Sequence, residues 1–396
     1  MYTLAAWAIS LVFALCSLFP QRRKIVFLSR QSSRPLDFAL LEPELRRRWP
    51  DRDLVWCCVP EIDEMSVSLM LRQIWHAATA EVCLVDGYVP AVSVPRHHRA
   101  YVVQLWHAPG AIKKFGYQSL DTPAGRSSAT ARILRMHRGY DCVVSGVPGA
   151  TGFFAEAFDM DPSRIRALGL PCIDYLVSPD YEGLRAERFS RAERHVNWAF
   201  SDPAVGPDEP PLPDTTTVIY APTFRRGGSD PLWLEHAVEG LERALAGSAT
   251  NVRLVVAGHP LEVHQEGGED LDVRPRVRTG VLRGATTMDA LHVADYVLTD
   301  YSTVAFEAGM LGKRVLFYVP DIEEYRRSPG LNIDPVAELP TLSSADAHEV
   351  AEVIIGERPY DQTAFDAFFR SQVGDLQVGA IGRIADLLGT EGGLDG

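Results

Sequence analysis

Two stretches of this chain place a histidine directly after an apolar run. YVVQLWHAPG carries Trp106 and His107 ahead of Pro109 and Gly110, and VRLVVAGHP carries His259. Imidazole titrates close to neutral pH, so either ring can take up or release a proton in a reaction. A third stretch, VLTDYSTVAFEAG, ends an apolar run in Asp300, Ser302 and Thr303, where a helical pattern begins. The start of a helix presents unpaired backbone N–H groups and a partial positive charge, which suits a phosphate. The two hydroxyls can donate to phosphate oxygens, whereas Asp300 would orient a hydroxyl or the backbone, or bind a sugar hydroxyl. Arginines stand near other strand ends: Arg225 and Arg226 in VIYAPTFRRGG, Arg326 and Arg327 in IEEYRRSPG. Imidazoles, guanidinium groups and an anion cradle are the parts of a site for phosphoryl chemistry. Each part also has a plainer reading, since Asp, Ser and Thr cap helices widely and a single histidine after a strand is usually structural. A histidine in each half of the chain is harder to explain that way.

The elements that must hold these residues are short β-branched runs separated by helical patterns. KIVFLS, DLVWCCVP, EVCLVDG, YVVQLWH and CVVSG form one series, and TTVIYAPTF, VRLVVAGHP, YVLTD and RVLFYVP form another. Strands alternating with helices predict parallel sheets covered on both faces. The fold class expected is α/β, with two doubly wound Rossmann-like domains facing a cleft. Ligands of open α/β sheets bind at the C-terminal ends of the strands, where the singled-out residues fall. The Pro- and Asp-rich stretch FSDPAVGPDEPPLPDTTT marks the boundary, giving a first domain over 21–200 and a second over 215–396. Three helical patterns close the chain after Ser343, and no internal repeat is visible.

The 396 residues are ample for two cores, and the net charge of −13 argues against a broad nucleic-acid surface. The cysteines show neither a CxxC pair nor metal-ligand spacing, and most lie in strand-like runs, as in a protein of a reducing compartment. Residues 1–20, MYTLAAWAISLVFALCSLFP, carry no charged side chain, and Arg22, Arg23 and Lys24 follow. This run is expected to be an apolar helix that contacts a membrane, either crossing it or lying in its interface. The alternative is a helix that covers the first domain's own core.

The ordered series VDGYVP, VQLWHAPGAIKKFG, GLPCIDYL, YAPTFRR, GHP, ADYVLTDYSTVAFEAG and VLFYVPDIEEYRRSPG spans roughly residues 80 to 335. In order and spacing it resembles the CDP-glycerol glycerophosphotransferases of teichoic acid synthesis. The resemblance implies a GT-B arrangement of two Rossmann-like domains, acceptor-side first and CDP-donor-binding second, at the cytoplasmic side of the cell membrane. It also implies that His107 is the general base and His259 a contact to the donor phosphates. Asp300, Ser302 and Thr303 match the nucleotide-diphosphate motif, Glu307 an acidic position one helical turn on, and Arg326 a segment near that site. Arg225 would help to neutralise the diphosphate. Ala108, Cys172, Arg226 and Asn332 depart from the family pattern, which bears on donor and acceptor identity more than on the chemistry. The implied reaction moves a polyol phosphate, glycerol phosphate first, from a CDP-polyol to a lipid-linked or polyol-phosphate acceptor and releases CMP. No cofactor or metal is implied. The length favours a primase-like or short transferase. A CDP-ribitol transferase, a nucleotide-sugar glycosyltransferase or epimerase of the same fold, and a non-catalytic membrane-bound binding protein are the alternatives.

Overall fold

A computed structural model describes residues 2–30, 32–59, 65–198, 214–223, 225, 230, 232–246, 249–257, 277–282, 284–375 and 378–396. The chain divides into two units. The first comprises Met1–Ser178 with Gln372–Gly396, and the second comprises Pro179–Ser371.

The first unit is built on a parallel sheet in the order β2-β1-β3-β4-β5-β6. Its strands are β1 (Lys24–Leu28), β2 (Asp53–Trp56), β3 (Val82–Val85), β4 (Tyr101–Leu105), β5 (Cys142–Val144) and β6 (Ile165–Arg166). Every residue of β1 and β3 is buried. That follows from sequences such as KIVFL and VCLV: helices cover both faces of a parallel sheet, so its central strands are apolar throughout rather than alternating. The strand order reverses between β1 and β3. A loop leaving one of these strands turns to the opposite face from a loop leaving the other, and a crevice opens between them.

The second unit repeats the design with β7 (Thr215–Ala221), β8 (Asn251–Val256), β9 (Val277–Val281), β10 (Tyr296–Thr299), β11 (Arg314–Tyr318) and β12 (Ser343–Ser344). Their order is β12-β11-β10-β7-β8-β9, again parallel. The reversal lies between β7 and β10. The loops after these two strands carry Thr223 and Arg225 on one side and Asp300, Ser302 and Thr303 on the other.

The units differ from the sequence division in two places. Helix Glu182–Trp198 lies before the Pro-rich stretch yet belongs to the second unit, where Arg188 Nη2 pairs with Asp289 at 2.7 Å and Phe189 stacks on His292 at 4.4 Å. Residues after Gln372 return to the first unit. There the Asp174 carboxylate accepts bonds from the backbone N–H groups of Gly379, Ala380 and Ile381 at 2.7, 3.1 and 2.9 Å. Those are the orphan donors of helix Ala380–Thr390, so a carboxylate remote in sequence caps that helix. Trp49 Nε1 to Asp395 at 3.1 Å and Tyr101 to Glu391 at 2.8 Å complete the attachment. The three closing helices fall at Ala347–Ile354, Gln362–Val373 and Ala380–Thr390.

The apolar N-terminal run forms a helix over Tyr2–Cys16, 15 residues long. At 1.5 Å per residue it reaches about 22 Å, short of the roughly 30 Å of a bilayer's hydrocarbon. Among the described residues no helix is long and apolar enough to cross a membrane, so the spanning alternative is not supported. Phe13 is buried, but Leu4, Trp7, Leu11, Leu15, Leu18 and Phe19 are exposed. Lys24 does not extend the exposed basic cluster. It is buried and donates to Thr79 Oγ1 at 2.7 Å, whereas Arg22 and Arg23 remain exposed.

Candidate active site

In the first unit the loops leaving β1, β3 and β4 carry Ser29, Asp86 and His107. His107 Nδ1 lies 3.0 Å from the main-chain oxygen of Asp86. A carbonyl oxygen can only accept, so Nδ1 carries the proton and the neutral ring keeps its lone pair on Nε2. Desolvation is the largest influence on the ring's pKa and pushes it below the ordinary value; the bond to Asp86 opposes this and the charge of Lys113 adds to it. The residue as a whole is exposed to solvent. His107 is therefore neutral at physiological pH and base-competent through Nε2.

Its surroundings are aromatic. Trp106 stacks on Phe115 at 4.7 Å and lies 4.3 Å from the His107 ring, while Phe158 and His137 meet it edge-on at 5.3 and 6.0 Å. Burial, with the charge of Arg126 next, pushes His137 down to about 3, so it serves as a neutral wall. Behind His107 the Asp86 side chain is buried and accepts from Ser29 Oγ at 2.7 Å. Its other oxygen, Oδ1, is buried without a partner among the described residues. Burial pushes this carboxyl up to about 7 against the Ser29 bond, and the neighbouring Asp37 raises it further. Asp37 itself is pushed up to about 6 by burial, although it accepts from Cys172 N at 2.7 Å. Sequence reasoning missed Ser29, Asp37 and Asp86. The available signal was an acidic residue ending the run EVCLVD, beside the strand that leads to His107.

In the second unit Asp300 is wholly buried and joins the two loops at the reversal. It accepts from Thr223 N at 2.9 and 3.0 Å, from Thr223 Oγ1 at 2.7 Å and from the backbone N–H of Tyr301. Arg225 Nη2 pairs with it at 2.7 Å. The same guanidinium donates to Asp321 at 2.7 and 3.1 Å and to the carbonyl of Thr223. Its carbon lies 4.2, 4.8 and 5.2 Å from the ring centres of Trp233, Tyr325 and Tyr301, and Tyr301 stacks on Tyr325 at 3.8 Å. Burial alone would lower the Arg225 pKa, but Asp300 and Asp321 outweigh it and hold the charge firmly in place. Arg225 and Asp300 thus neutralise each other inside the unit, and Asp300 orients a hydroxyl and the backbone, one of the roles expected of it from sequence.

The hydroxyl pair is placed differently. Helix Val304–Met310 starts at Thr303, whose side chain makes no capping bond. Ser302 Oγ accepts from Val304 N only at a long 3.4 Å. Both residues are half-buried, so capping occupies little of their hydrogen-bonding capacity. Glu307 lies one turn on and is also half-buried. Arg326 is not brought to this group. It is exposed and tied to Asp334 Oδ2 at 2.7 Å and to Glu323, while its neighbour Tyr325 is the residue that reaches Arg225. His259 and Arg226 lie outside the described residues.

The family model for CDP-glycerol:poly(glycerophosphate) glycerophosphotransferases matches residues 11–376. The chain belongs to this family. It is a phosphotransferase of the class that includes the teichoic acid polyol-phosphate primases and polymerases. Among relatives of this glycerophosphotransferase, a teichoic acid ribitol-phosphate primase of Bacillus spizizenii is 28% identical over 317 residues, 80% of this chain and 76% of the relative. A teichoic acid glycerol-phosphate primase of the same organism is 25% identical over 282 residues, 68% of this chain and 66% of that one. The solved wall teichoic acid polymerase TagF has the same fold, with a TM-score of 0.69 at 18% identity, covering 100% of this chain and 97% of the polymerase.

Proposed function

We propose that this phosphotransferase moves a polyol phosphate from a CDP-polyol to a hydroxyl of a membrane-held acceptor and releases CMP. The acceptor oxygen forms a bond to the β-phosphorus while the bond from that phosphorus to the bridging oxygen of CMP breaks. The acceptor's proton passes to Nε2 of His107. The observation that carries this reading is the His107 Nδ1 bond to the Asp86 carbonyl, which leaves Nε2 as the free base on a ring held neutral. Ser302 and Thr303, little used in capping their helix, supply hydroxyl donors for the diphosphate. His259 is assigned to the same diphosphate from its motif.

On this reading the first unit acts on the acceptor and the second holds the donor. Glycerol phosphate is the first donor to test, and ribitol phosphate the second, because relatives of both kinds match. We place the enzyme on the cytoplasmic face of the cell membrane. Helix Tyr2–Cys16 turns an uncovered face of Leu4, Trp7, Leu11 and Leu15 outward, with exposed Arg22 and Arg23 just beyond it. A helix of this kind lies in the interface, where apolar side chains enter the acyl boundary and arginines meet anionic headgroups. The test is a screen of CDP-glycerol, CDP-ribitol and UDP-sugars that reads nucleotide release with and without a lipid-linked acceptor. Acceptor-dependent CMP release supports the reading, and release of UDP alone favours the glycosyltransferase alternative.

A further inference from the structure

The dipeptide Asp86–Gly87, at the C-terminal end of β3, is held from three sides. Ser29, leaving β1, donates its hydroxyl to Asp86 Oδ2 at 2.7 Å. Gln104, inside β4, donates Nε2 to the Gly87 carbonyl at 3.1 Å. Tyr140, just ahead of β5, donates its hydroxyl to the same carbonyl at 3.3 Å. All four of Ser29, Asp86, Gln104 and Tyr140 are buried. The one acceptor this tethered turn directs at the histidine is the Asp86 main-chain oxygen, 3.0 Å from His107 Nδ1.

We infer that Asp86 is a positioning residue for the reaction: its side chain, locked to Ser29, fixes the peptide whose carbonyl sets the tautomer and direction of His107. The inference rests on the reading of His107 as the base. A histidine in water prefers its proton on Nε2, the tautomer that cannot take a proton from an acceptor at that nitrogen. The Asp86 carbonyl reverses that preference, and Ser29, Gln104 and Tyr140 keep the carbonyl from turning away. The side chain acts through shape and hydrogen bonding rather than charge. Oδ2 can accept from Ser29 whether the carboxyl is charged or neutral.

The test uses the full chain labelled with 15N-histidine, with the His107 signal assigned by its loss in His107→Gln. At pH 7.5 the ring nitrogens of the wild type are expected to report a single tautomer with the proton on Nδ1. Asp86→Asn retains an oxygen that accepts from Ser29 and should keep both that tautomer and turnover. Asp86→Ala and Ser29→Ala should shift His107 toward the Nε2–H form. They should also lower kcat about 10–100-fold, with KM for the CDP-polyol within about twofold. Ser29→Ala carries the test alone if Asp86→Ala does not fold. An Nε2–H tautomer in the wild type overturns the inference, as do an unchanged tautomer and kcat in Ser29→Ala. If the tautomers behave as expected while His107→Gln still turns over, the base assignment fails and takes the role in the reaction with it, and only the fixing of the His107 tautomer by Asp86 stands.

Discussion

Replacing Arg225 with Met tests whether the guanidinium is committed to the interior of the second unit. The change keeps an apolar stem against Trp233 and Tyr325 but strands the wholly buried Asp300 without its cation. Removing one partner of a buried ion pair costs about 3–5 kcal/mol, because the remaining charge stays desolvated. The bonds from Thr223 to Asp300 survive and place the expected cost toward the lower end. For a unit of this size each kcal/mol moves the midpoint about 2–4 °C, so a fall of roughly 6–15 °C is expected. The assay is thermal melting of Arg225→Met, Asp300→Asn and the double variant, each beside the wild type. Loss of both charges together is close to neutral, so the double variant should recover a large part of the deficit. That gives a coupling the two single changes cannot produce additively. A midpoint for Arg225→Met within about 2 °C of the wild type, or strict additivity, would refute the cage and return Arg225 to the pool of diphosphate contacts.

Four further outcomes are expected. Arg326→Ala, which breaks only exposed pairs, should leave both melting and donor affinity at wild-type values. Ser302→Ala with Thr303→Ala should weaken CDP-polyol binding by an order of magnitude or more, since charge-assisted bonds to phosphate contribute about 1.5–3 kcal/mol each. Calorimetry should show CMP affinity less affected, and melting should barely move because neither hydroxyl makes a firm cap. Asp86→Asn should stabilise the first unit more at pH 8 than at pH 5, as denaturant titrations at the two pH values can show. The Asp86 carboxyl is raised to about 7 in the folded chain, above its unfolded value near 3.9. Its contribution is therefore full below about 3.9, already partly lost at pH 5, and gone above about 7. Leu11→Glu with Trp7→Glu, on the outer face of helix Tyr2–Cys16, should abolish co-sedimentation with anionic vesicles while leaving circular dichroism unchanged.

Much of the fold was legible because parallel strands buried on both faces leave unbroken apolar runs such as KIVFL and VCLV. The domain boundary was less legible. A Pro-rich stretch marks where a chain is irregular, whereas helix Glu182–Trp198 is assigned by its packing on Asp289 and His292, about a hundred residues away. The return of the C-terminal helix depends on Asp174, a carboxylate about two hundred residues before the helix it caps. Within the candidate site, residue type and position after a strand pointed to His107, Ser302 and Thr303. The same evidence could not separate a guanidinium facing solvent from one paired inside. Arg225 and Asp300 looked available until the fold brought them together, and Arg326 belongs to a helix whose buried side is Tyr325. Asp86 was missed because its bond to His107 runs through the main chain.

The most direct measurement is CMP release by the purified full-length chain from CDP-glycerol and CDP-ribitol, with a lipid-linked acceptor in membranes, for wild type and His107→Ala. The account predicts acceptor-dependent CMP release with one of these donors, and one polyol phosphate gained by the acceptor for each CMP. Turnover should fall about 10²–10⁴-fold in His107→Ala, with donor affinity retained. Its kcat in the wild type should hold down to pH values below about 6.5, the ordinary histidine pKa, because desolvation lowers the pKa of the ring. Near-wild-type turnover by His107→Ala with its confirmed donor would contradict it.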